Sequence, residues 1–509
     1  MRAKRPRNRA LLTFVAGALA VSGAVVAPGV ASAEPTVKPI DWQPCPNAPT
    51  VDCGFVEVPV DWANPAGEKI QIGLARRKAK DPAKRIGAVL MDPGGPGGSG
   101  VASVKGSEQF TEAVRARFDQ VGFDPRGINT SSKLLCDADL ANKATAARHP
   151  TSQADFDQLA SLNRQLHDSC RTNSGKLAEN VDNLNTVRDM DAIRAALGEQ
   201  KLTYVGYSYG SVMGQQYAEK FPHRVRALVL DGNMDHSMNT AWDFMRSETA
   251  PVEQAFIEFA KWCDTTAKCA LYGQDTKKVY AELRAKAKAG TLVGPNGKVD
   301  FYSLSSYAFG TTRPAQWGTV ATALRGLRDG AVTDSAVTTL AGPIANIAYP
   351  TIWCSDWRYP VRDYAEYKEL RDRLDKRFPN VQWSPYVDHA MTCVNSGTKT
   401  TNPQRRLDIK GAPPLVMIGN IHDPATVYEW NVTAARQSGA RLITYEGWGH
   451  TAYRQSGPSP CVNVAVDEYL INLKPPRWGL TCPATEVPGG TGVDARELQQ
   501  PEVGPYLAG

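Results

Sequence analysis

Residues 202–221 read Leu-Thr-Tyr-Val-Gly-Tyr-Ser-Tyr-Gly-Ser-Val-Met-Gly-Gln-Gln-Tyr-Ala-Glu-Lys-Phe and contain the pentapeptide Gly206-Tyr207-Ser208-Tyr209-Gly210. The residues before the pentapeptide are β-prone, and those after it carry large apolar side chains at the four-residue spacing of a helix face. The pattern Gly-x-Ser-x-Gly between a strand and a helix is typical of a nucleophile elbow, a sharp turn that exposes the serine hydroxyl. The flanking glycines are needed where a Cβ would collide with the neighbouring strand or helix. This stretch therefore predicts a nucleophilic serine at the end of a strand.

The segments on either side of the pentapeptide repeat the alternation of strand and helix. An amphipathic pattern over residues 186–197 predicts a helix that leads into the strand before Ser208. Strands that alternate with helices favour a mostly parallel sheet with helices on both faces, which is the fold class we expect. The other strand-like runs are residues 55–60, 70–75, 86–91, 118–123, 225–230, 414–418 and 440–445.

The strand rhythm stops in the middle of the chain, where the pattern becomes mainly helical from about residue 236 to residue 402. The chain has 509 residues, enough for a catalytic core and a large insertion. We therefore expect a first core part at residues 34–235, a helical cap at 236–404 and a second core part at 405–509.

The N-terminus has the pattern of a secretory signal peptide. Five basic residues precede a mostly apolar run over residues 10–27, and Ala31-Ser32-Ala33 fits a cleavage site. The apolar run is short for a membrane span, so we expect residues 1–33 to be removed and the product to be secreted without stable membrane association. Removal of these five charges lowers the formal net charge from +6 to +1, so composition does not support nucleic-acid binding.

The chain contains ten cysteines, an even number that favours disulfides in an exported protein. The spacings lack C-x-x-C pairs, so we expect no zinc site and no other metal. Sequence alone does not choose among the possible pairings, and nearest neighbours along the chain are the pairing that we expect. The expected pairs are Cys45–Cys53, Cys136–Cys170, Cys263–Cys269, Cys354–Cys393 and Cys461–Cys482.

A serine hydroxyl needs a base to remove its proton and a carboxylate to orient that base. His450 follows the last strand-like run in a glycine-containing loop and is the predicted base. Asp423, just after the run that ends at residue 418, is the predicted acid, which gives the order Ser, acid, His of α/β hydrolases. Asp231 is the alternative acid because it also ends a core strand. A dehalogenase or epoxide hydrolase mechanism would need an aspartate in place of Ser208.

The negative oxygen of the tetrahedral intermediate also needs hydrogen-bond donors. The amide of Tyr209, directly after the nucleophile, is one predicted donor. The second comes from the turn Gly94-Gly95-Pro96-Gly97-Gly98, where we favour the amide of Gly95 and keep that of Gly94 as the alternative. The turn lacks the lysine of a phosphate-binding loop, and the proposed chemistry needs no cofactor.

These motifs together resemble the α/β-hydrolase serine peptidases of the prolyl and tripeptidyl aminopeptidase type. The resemblance rests on the glycine-rich turn, on Gly-Phe-Asp-Pro-Arg-Gly at residues 122–127, on the pentapeptide and on the loops of Asp423 and His450. Prolyl aminopeptidases carry a histidine where this chain has Pro93, so the resemblance is nearer to the tripeptidyl branch. In this family, acidic residues of the cap bind the substrate's free amine. The candidates here are Asp356, Glu253 and Glu248.

The resemblance implies a serine exopeptidase that releases short peptides, such as tripeptides, from free N-termini. A monomer is the default expectation for a secreted hydrolase of this size. An esterase or small-molecule acyl hydrolase with the same triad is the alternative, because the core sequence does not separate the two. A catalytically silent binding protein on the same scaffold is the third hypothesis. Covalent labelling of Ser208 would exclude it.

Overall fold

The computed structural model describes residues 38–294, 297–330, 343–453, 459–486 and 488–489. The predicted signal segment, residues 1–33, lies outside the described residues. Within the described part of the chain, no helix is both long and apolar enough to cross a membrane.

A ten-stranded sheet organises the molecule, and its strand order is β1-β2-β3-β5-β4-β7-β8-β12-β13-β14, with the bounds given below. The first four strands in this order pair antiparallel, and every pairing from β5 to β14 is parallel. The expected mostly parallel sheet is therefore confirmed. The strands are β1 (Gln43–Cys45), β2 (Ala48–Pro59), β3 (Lys69–Arg77), β4 (Gly87–Asp92), β5 (Phe118–Phe123), β6 (Leu135–Asp137), β7 (Leu202–Tyr207), β8 (Val225–Asp231), β9 (Val293–Gly294), β10 (Gly297–Lys298), β11 (Ile344–Asn346), β12 (Val416–His422), β13 (Arg441–Trp448) and β14 (Leu480–Cys482).

Helices cover both faces of the sheet because alternate residues of each central strand are apolar and buried. On β4, Leu90 packs into the hydrophobic cluster that contains α5, α6 and α13, whereas Met91 packs into the cluster that contains α1, α2 and α14. The helices are α1 (Gly100–Gly106), α2 (Glu112–Arg115), α3 (Ala138–Ala146), α4 (Gln153–Ser174), α5 (Asn183–Ala196), α6 (Gly210–Lys220), α7 (Ala241–Thr265), α8 (Thr276–Lys288), α9 (Phe301–Gly310), α10 (Trp317–Asp329), α11 (Tyr349–Asp356), α12 (Tyr364–Arg377), α13 (Tyr428–Ser438) and α14 (Pro460–Asn472).

The chain between β8 and β12, residues 232–415, is called the helical insert here. It contains α7 to α12, and none of its described strands joins the large sheet. The segment from β6 to α4, which lies within the span predicted as core, packs against this insert. Strand β6 pairs with β11, and the Asn163 side chain donates to the carbonyl oxygens of Met391 and Val394. Two separate stretches of chain, residues 135–174 and the helical insert, therefore pack together, and they are called the helical layer here.

The structure contains five disulfides in the pairing expected from the sequence. Two of them, Cys263–Cys269 and Cys354–Cys393, lie within the helical insert. Cys136–Cys170 joins β6 to α4 in the segment that packs on the insert. The cross-links therefore stabilise local parts of the chain, each between cysteines that are neighbours in sequence.

Candidate active site

Ser208 lies directly after β7, and its backbone φ of 54° is one that residues other than glycine rarely adopt. A Cβ at Gly206 would overlap the carbonyl oxygen of Gly210, and one at Gly210 would lie 2.9 Å from the carbonyl oxygen of Asp92. Both glycines are therefore required by close backbone approach. The backbone N–H of Ser208 donates to the carbonyl oxygen of Asp231 at 2.9 Å, which fixes the turn against β8. The side chain remains partly exposed, as a nucleophile elbow requires.

His450 and Asp423 are brought together from two loops at the carboxyl ends of β12 and β13. The imidazole Nδ1 lies 3.0 Å from Oδ1 and 2.9 Å from Oδ2 of Asp423. The carboxyl group is fully buried and also accepts hydrogen bonds from Ala425 N, Thr426 N and Thr426 Oγ1. Because the acid accepts from Nδ1, the proton is held there and Nε2 is the nitrogen that can act as a base.

The chain at the end of β8 contacts both the elbow and the His450 ring. Ser208 is bonded to Asp231, and the next residue, Gly232, lies against the ring. A Cβ at Gly232 would be 3.1 Å from Cε1 of His450 and 2.6 Å from Oγ1 of Thr426. The absence of a side chain at this position makes room for the base beside the nucleophile.

Asp231, the alternative acid, occupies a different position in the site. Its Oδ2 accepts the backbone N–H groups of Ala452 at 2.8 Å and Tyr453 at 2.7 Å. Burial raises the pKa of this carboxyl to about 6. The structure therefore pairs His450 with Asp423, and Asp231 holds the chain that follows His450.

The glycine-rich turn after β4 lies against the elbow. Gly94 and Gly95 have φ values of 94° and 116°, and a Cβ at Gly94 would lie 2.8 Å from Cβ of Ser208 and 2.9 Å from N of Tyr209. The amide of Gly94 donates to Oδ1 of Asp92 at 2.8 Å. The alternative donor is thus already bonded within the protein, which favours Gly95 as the second oxyanion donor.

Two of the three predicted amine-binding acids, Asp356 and Glu253, already have hydrogen-bond partners within the protein. Asp356 is fully buried and accepts from the Tyr209 hydroxyl, from Asn183 N and from Asn402 Nδ2. Glu253 is also buried and accepts three hydrogen bonds from the backbone and side chain at residues 380–381. Side chains with three internal donors are part of the protein's own hydrogen-bond network, so we do not propose Asp356 and Glu253 as amine-binding residues.

Glu248, the third acid, is different. It lies on α7 and is 2% exposed, and its Oε2 has no hydrogen-bond partner among the described residues. Burial raises the pKa of Glu248 well above its usual range, and the negative charge of Asp423 raises it further. This acid therefore lies within electrostatic reach of the candidate site and retains an oxygen that could accept a hydrogen bond.

Sequence reasoning missed two supporting residues. Asp92 orders the glycine-rich turn through the amide of Gly94, and Thr426 bonds the carboxyl of Asp423. Both had a local signal, because Asp92 ends a strand just before a glycine run and Thr426 stands three residues after Asp423 in an Asp-Pro turn. Among the described residues, no group of three or more His, Cys, Asp or Glu side chains is arranged to hold a metal ion.

The family model described as alpha/beta hydrolase fold matches residues 87–455, a span that includes the elbow, Asp423 and His450. The chain belongs to the α/β-hydrolase family. This α/β hydrolase is 30% identical to a tripeptidyl aminopeptidase of Streptomyces lividans, over 95% of this chain and 98% of the relative. It is 31% identical to serine protease Hip1 of Mycobacterium tuberculosis, over 88% and 92% of the two chains.

A third relative of this α/β hydrolase is carboxylesterase B of M. tuberculosis, which is 31% identical over 94% of this chain and 98% of the relative. The expected resemblance to tripeptidyl aminopeptidases is confirmed by the first relative. The expectation of an enzyme, a serine hydrolase of the peptidase type, is confirmed at the level of the family.

Proposed function

We propose that this α/β hydrolase is a secreted serine exopeptidase that releases short peptides, with tripeptides as the first class to test, from free N-termini. The observation that carries this proposal is the bonded His450–Asp423 pair beside the strained elbow of Ser208. The tripeptidyl aminopeptidase among its relatives supports the substrate class. The signal pattern of residues 1–33 and the five disulfides support secretion, and a monomer is the state that we expect.

The reaction begins when Oγ of Ser208 attacks the carbonyl carbon of the scissile peptide bond. Nε2 of His450 takes the hydroxyl proton, and Asp423 stabilises the resulting imidazolium. The tetrahedral intermediate collapses with transfer of that proton to the leaving amine, which leaves an acyl-enzyme on Ser208. Water, deprotonated by the same histidine, then hydrolyses the ester and regenerates the hydroxyl group.

The negative oxygen of the intermediate accepts hydrogen bonds from the backbone N–H groups of Tyr209 and Gly95. Two features support this assignment. The glycine-rich turn packs against the Tyr209 amide, since a Cβ at Gly94 would lie 2.9 Å from Tyr209 N, and the amide of Gly94 is already bonded to Asp92. Backbone donors that the fold already holds in place need no reorganisation as the negative charge develops, and they lower the barrier for that reason.

Glu248 binds the free amine of the substrate in this proposal. A buried carboxyl oxygen without a partner is unfavourable in the free protein, and an ammonium group would supply the missing donor and favour the ionised form of the carboxyl group. The position of Glu248 on the insert, within electrostatic reach of Asp423, supports this role. Anchoring of the amine at a fixed site would limit how many residues extend to Ser208, which is the property that distinguishes an exopeptidase.

An esterase or small-molecule acyl hydrolase is the second candidate function. It is favoured by the carboxylesterase B relative, which matches over 94% of this chain. The core chemistry would be identical, and only the use of the insert would differ.

One experiment separates the two functions. The protein is assayed with Ala-Pro-Ala anilide, with the same peptide after N-acetylation and with a short-chain ester. An exopeptidase cleaves only the free peptide rapidly, and Glu248→Gln raises KM for that peptide without changing the rate of ester hydrolysis. Glu253→Gln is the matched control, because this buried insert carboxyl accepts hydrogen bonds from residues 380–381. Cleavage of the ester with neither peptide touched would support the esterase.

A further inference from the structure

The side chain of Tyr209 connects the elbow to the helical insert. Its hydroxyl donates to Oδ2 of Asp356, the last residue of α11. Tyr209 is 1% exposed and Asp356 is fully buried, so the bond is shielded from water. Burial raises the pKa of the Asp356 carboxyl group to about 8, and in such low-dielectric surroundings a hydrogen bond is stronger than one at the surface.

Asp356 is also the point where both ends of the insert meet the core. The carboxyl Oδ1 accepts from Asn402 Nδ2 at 2.7 Å, and the Asp356 carbonyl oxygen lies 2.8 Å from Nε2 of His236. Burial lowers the pKa of His236 to about 4, so the ring is neutral and donates through Nε2. The backbone of Arg405 in turn donates to the carbonyl oxygen of His236 at 2.7 Å.

The core side of the same network is equally well bonded. Asn183, at the first turn of α5, donates its backbone N–H to Asp356 at 3.0 Å and its side-chain amide to Gln216 of α6 at 2.6 Å. Gln216 then donates to Oδ1 of Asn402 at 3.1 Å. The carboxyl group of Asp356 therefore lies between the elbow helix and the returning end of the insert.

The orientation of Tyr209 determines where its amide points. The residue follows the strained Ser208 and directly precedes α6, with helical φ and ψ values of −57° and −31°. Its amide faces the glycine-rich turn at Gly94, and its hydroxyl is bonded to Asp356 on the opposite side. A side chain fixed at its far end restricts rotation of the backbone that carries the amide.

We propose that Asp356 is a positioning residue, which holds the Tyr209 amide in its oxyanion-binding orientation and couples that orientation to the seating of the helical insert on the core. This inference rests on the proposed function, because it takes Ser208 as nucleophile and Tyr209 as oxyanion donor. Asp356 touches neither the substrate nor the reacting atoms and acts through Tyr209 alone.

The test compares Tyr209→Phe, Asp356→Ala and the double variant. An oxyanion donor acts in the transition state, so each single change lowers kcat for a short-chain ester by about tenfold and leaves KM unchanged. Because both changes break the same bond, the double variant also loses about tenfold and not a hundredfold. Asp356→Asn restores kcat to within about threefold, since its amide can still hydrogen-bond the Tyr209 hydroxyl.

Glu253→Ala is the matched control, because it also removes a buried carboxyl of the insert that accepts three hydrogen bonds. We expect Glu253→Ala to lower the melting temperature, as Asp356→Ala does, but to leave kcat per active site at the wild-type value. All rates are normalised to the amount of protein labelled by a fluorophosphonate, so that incomplete folding of a variant does not enter kcat.

The inference is overturned by wild-type kcat in both single variants, by multiplicative losses in the double variant, or by a raised KM with unchanged kcat in Asp356→Ala. Failure of the Ser208 chemistry on which the inference rests gives a different result. In that case the folded wild-type protein is not labelled at Ser208 and does not hydrolyse the ester, whereas an esterase that cleaves no peptide would leave this test unchanged.

Discussion

The backbone N–H of Ser208 donates to the carbonyl oxygen of Asp231 at 2.9 Å, while the carboxyl group of Asp231 accepts the backbone N–H groups of Ala452 and Tyr453. One buried residue at the end of β8 therefore contacts both the elbow and the chain that follows His450. The nucleophile and the base come from distant parts of the sequence, and this residue fixes their loops relative to each other.

Asp231 predicts a specific pH dependence of stability. Its pKa is about 6 in the folded protein and close to the ordinary value of 3.8 in the unfolded chain. Between these values the folded state binds more protons, so this group lowers the free energy of unfolding as the pH rises from 4 to 6. The shift of about two pKa units corresponds to about 3 kcal/mol.

Urea unfolding of the wild type and of Asp231→Asn at pH 3.5 and pH 7.5 measures this contribution. The neutral asparagine cannot titrate, so the variant gains about 3 kcal/mol relative to the wild type between the two pH values. A difference between the two proteins that stays constant with pH would contradict the assignment.

The two carboxylates near His450 should differ sharply in their effect on catalysis. Asp423→Asn removes the negative charge that stabilises the imidazolium and leaves a single oxygen for the donors at residues 425, 426 and 450, so kcat falls by roughly 10³–10⁴-fold with little change in KM. Asp231→Asn retains an oxygen for the backbone N–H groups that it accepts and lowers kcat by less than about tenfold. Steady-state kinetics on the ester distinguishes the two, and equal losses would mean that the acid has been assigned wrongly.

The pentapeptide glycines should not tolerate a methyl group. In Gly206→Ala the new Cβ overlaps the Gly210 carbonyl oxygen, so the elbow must move, at a cost of about 1–3 kcal/mol. Gly106→Ala is the control, because nothing lies within 4 Å of a Cβ there. Thermal unfolding should show a clear loss for the first variant and none for the second. Equal melting temperatures would refute the close packing described for the elbow.

The disulfide Cys354–Cys393 links two cysteines of the insert that are 39 positions apart in sequence, and Cys354 lies two residues before Asp356. Replacement of both cysteines by serine should lower the free energy of unfolding by about 2–4 kcal/mol and also lower kcat. Cys45–Cys53, which joins two strands at the sheet edge, is the control and should affect stability alone. A kcat that changes equally in both variants would show that the effect is not specific to the insert.

Much of the core could be predicted from the sequence because its signals are local. Buried parallel strands give continuous apolar runs, and residues 86–91 and 118–123 match β4 and β5 closely. The positions of His450 and Asp423 follow from the same logic, since side chains just after parallel strands meet at one edge of the sheet.

The packing of the helical layer could not be predicted in the same way. Residues 153–174 form α4, and their sequence does not show that this helix packs on the insert and not on the sheet. The partners of Asp356 and Glu253 are also tertiary, because each carboxyl is bonded to residues far away in the sequence. The sequence shows that the insert contains acidic residues, but their burial and their hydrogen-bond partners depend on the tertiary fold.

The central claim, that Ser208 is a nucleophile activated by His450, is tested most directly by covalent labelling. The folded protein is treated with a fluorophosphonate, digested and analysed by mass spectrometry, beside Ser208→Ala and His450→Ala. We expect one adduct, on the peptide that contains Ser208, none at that position in Ser208→Ala and a labelling rate at least a hundredfold lower in His450→Ala. An unlabelled wild-type protein, or an adduct on another residue, would contradict the account.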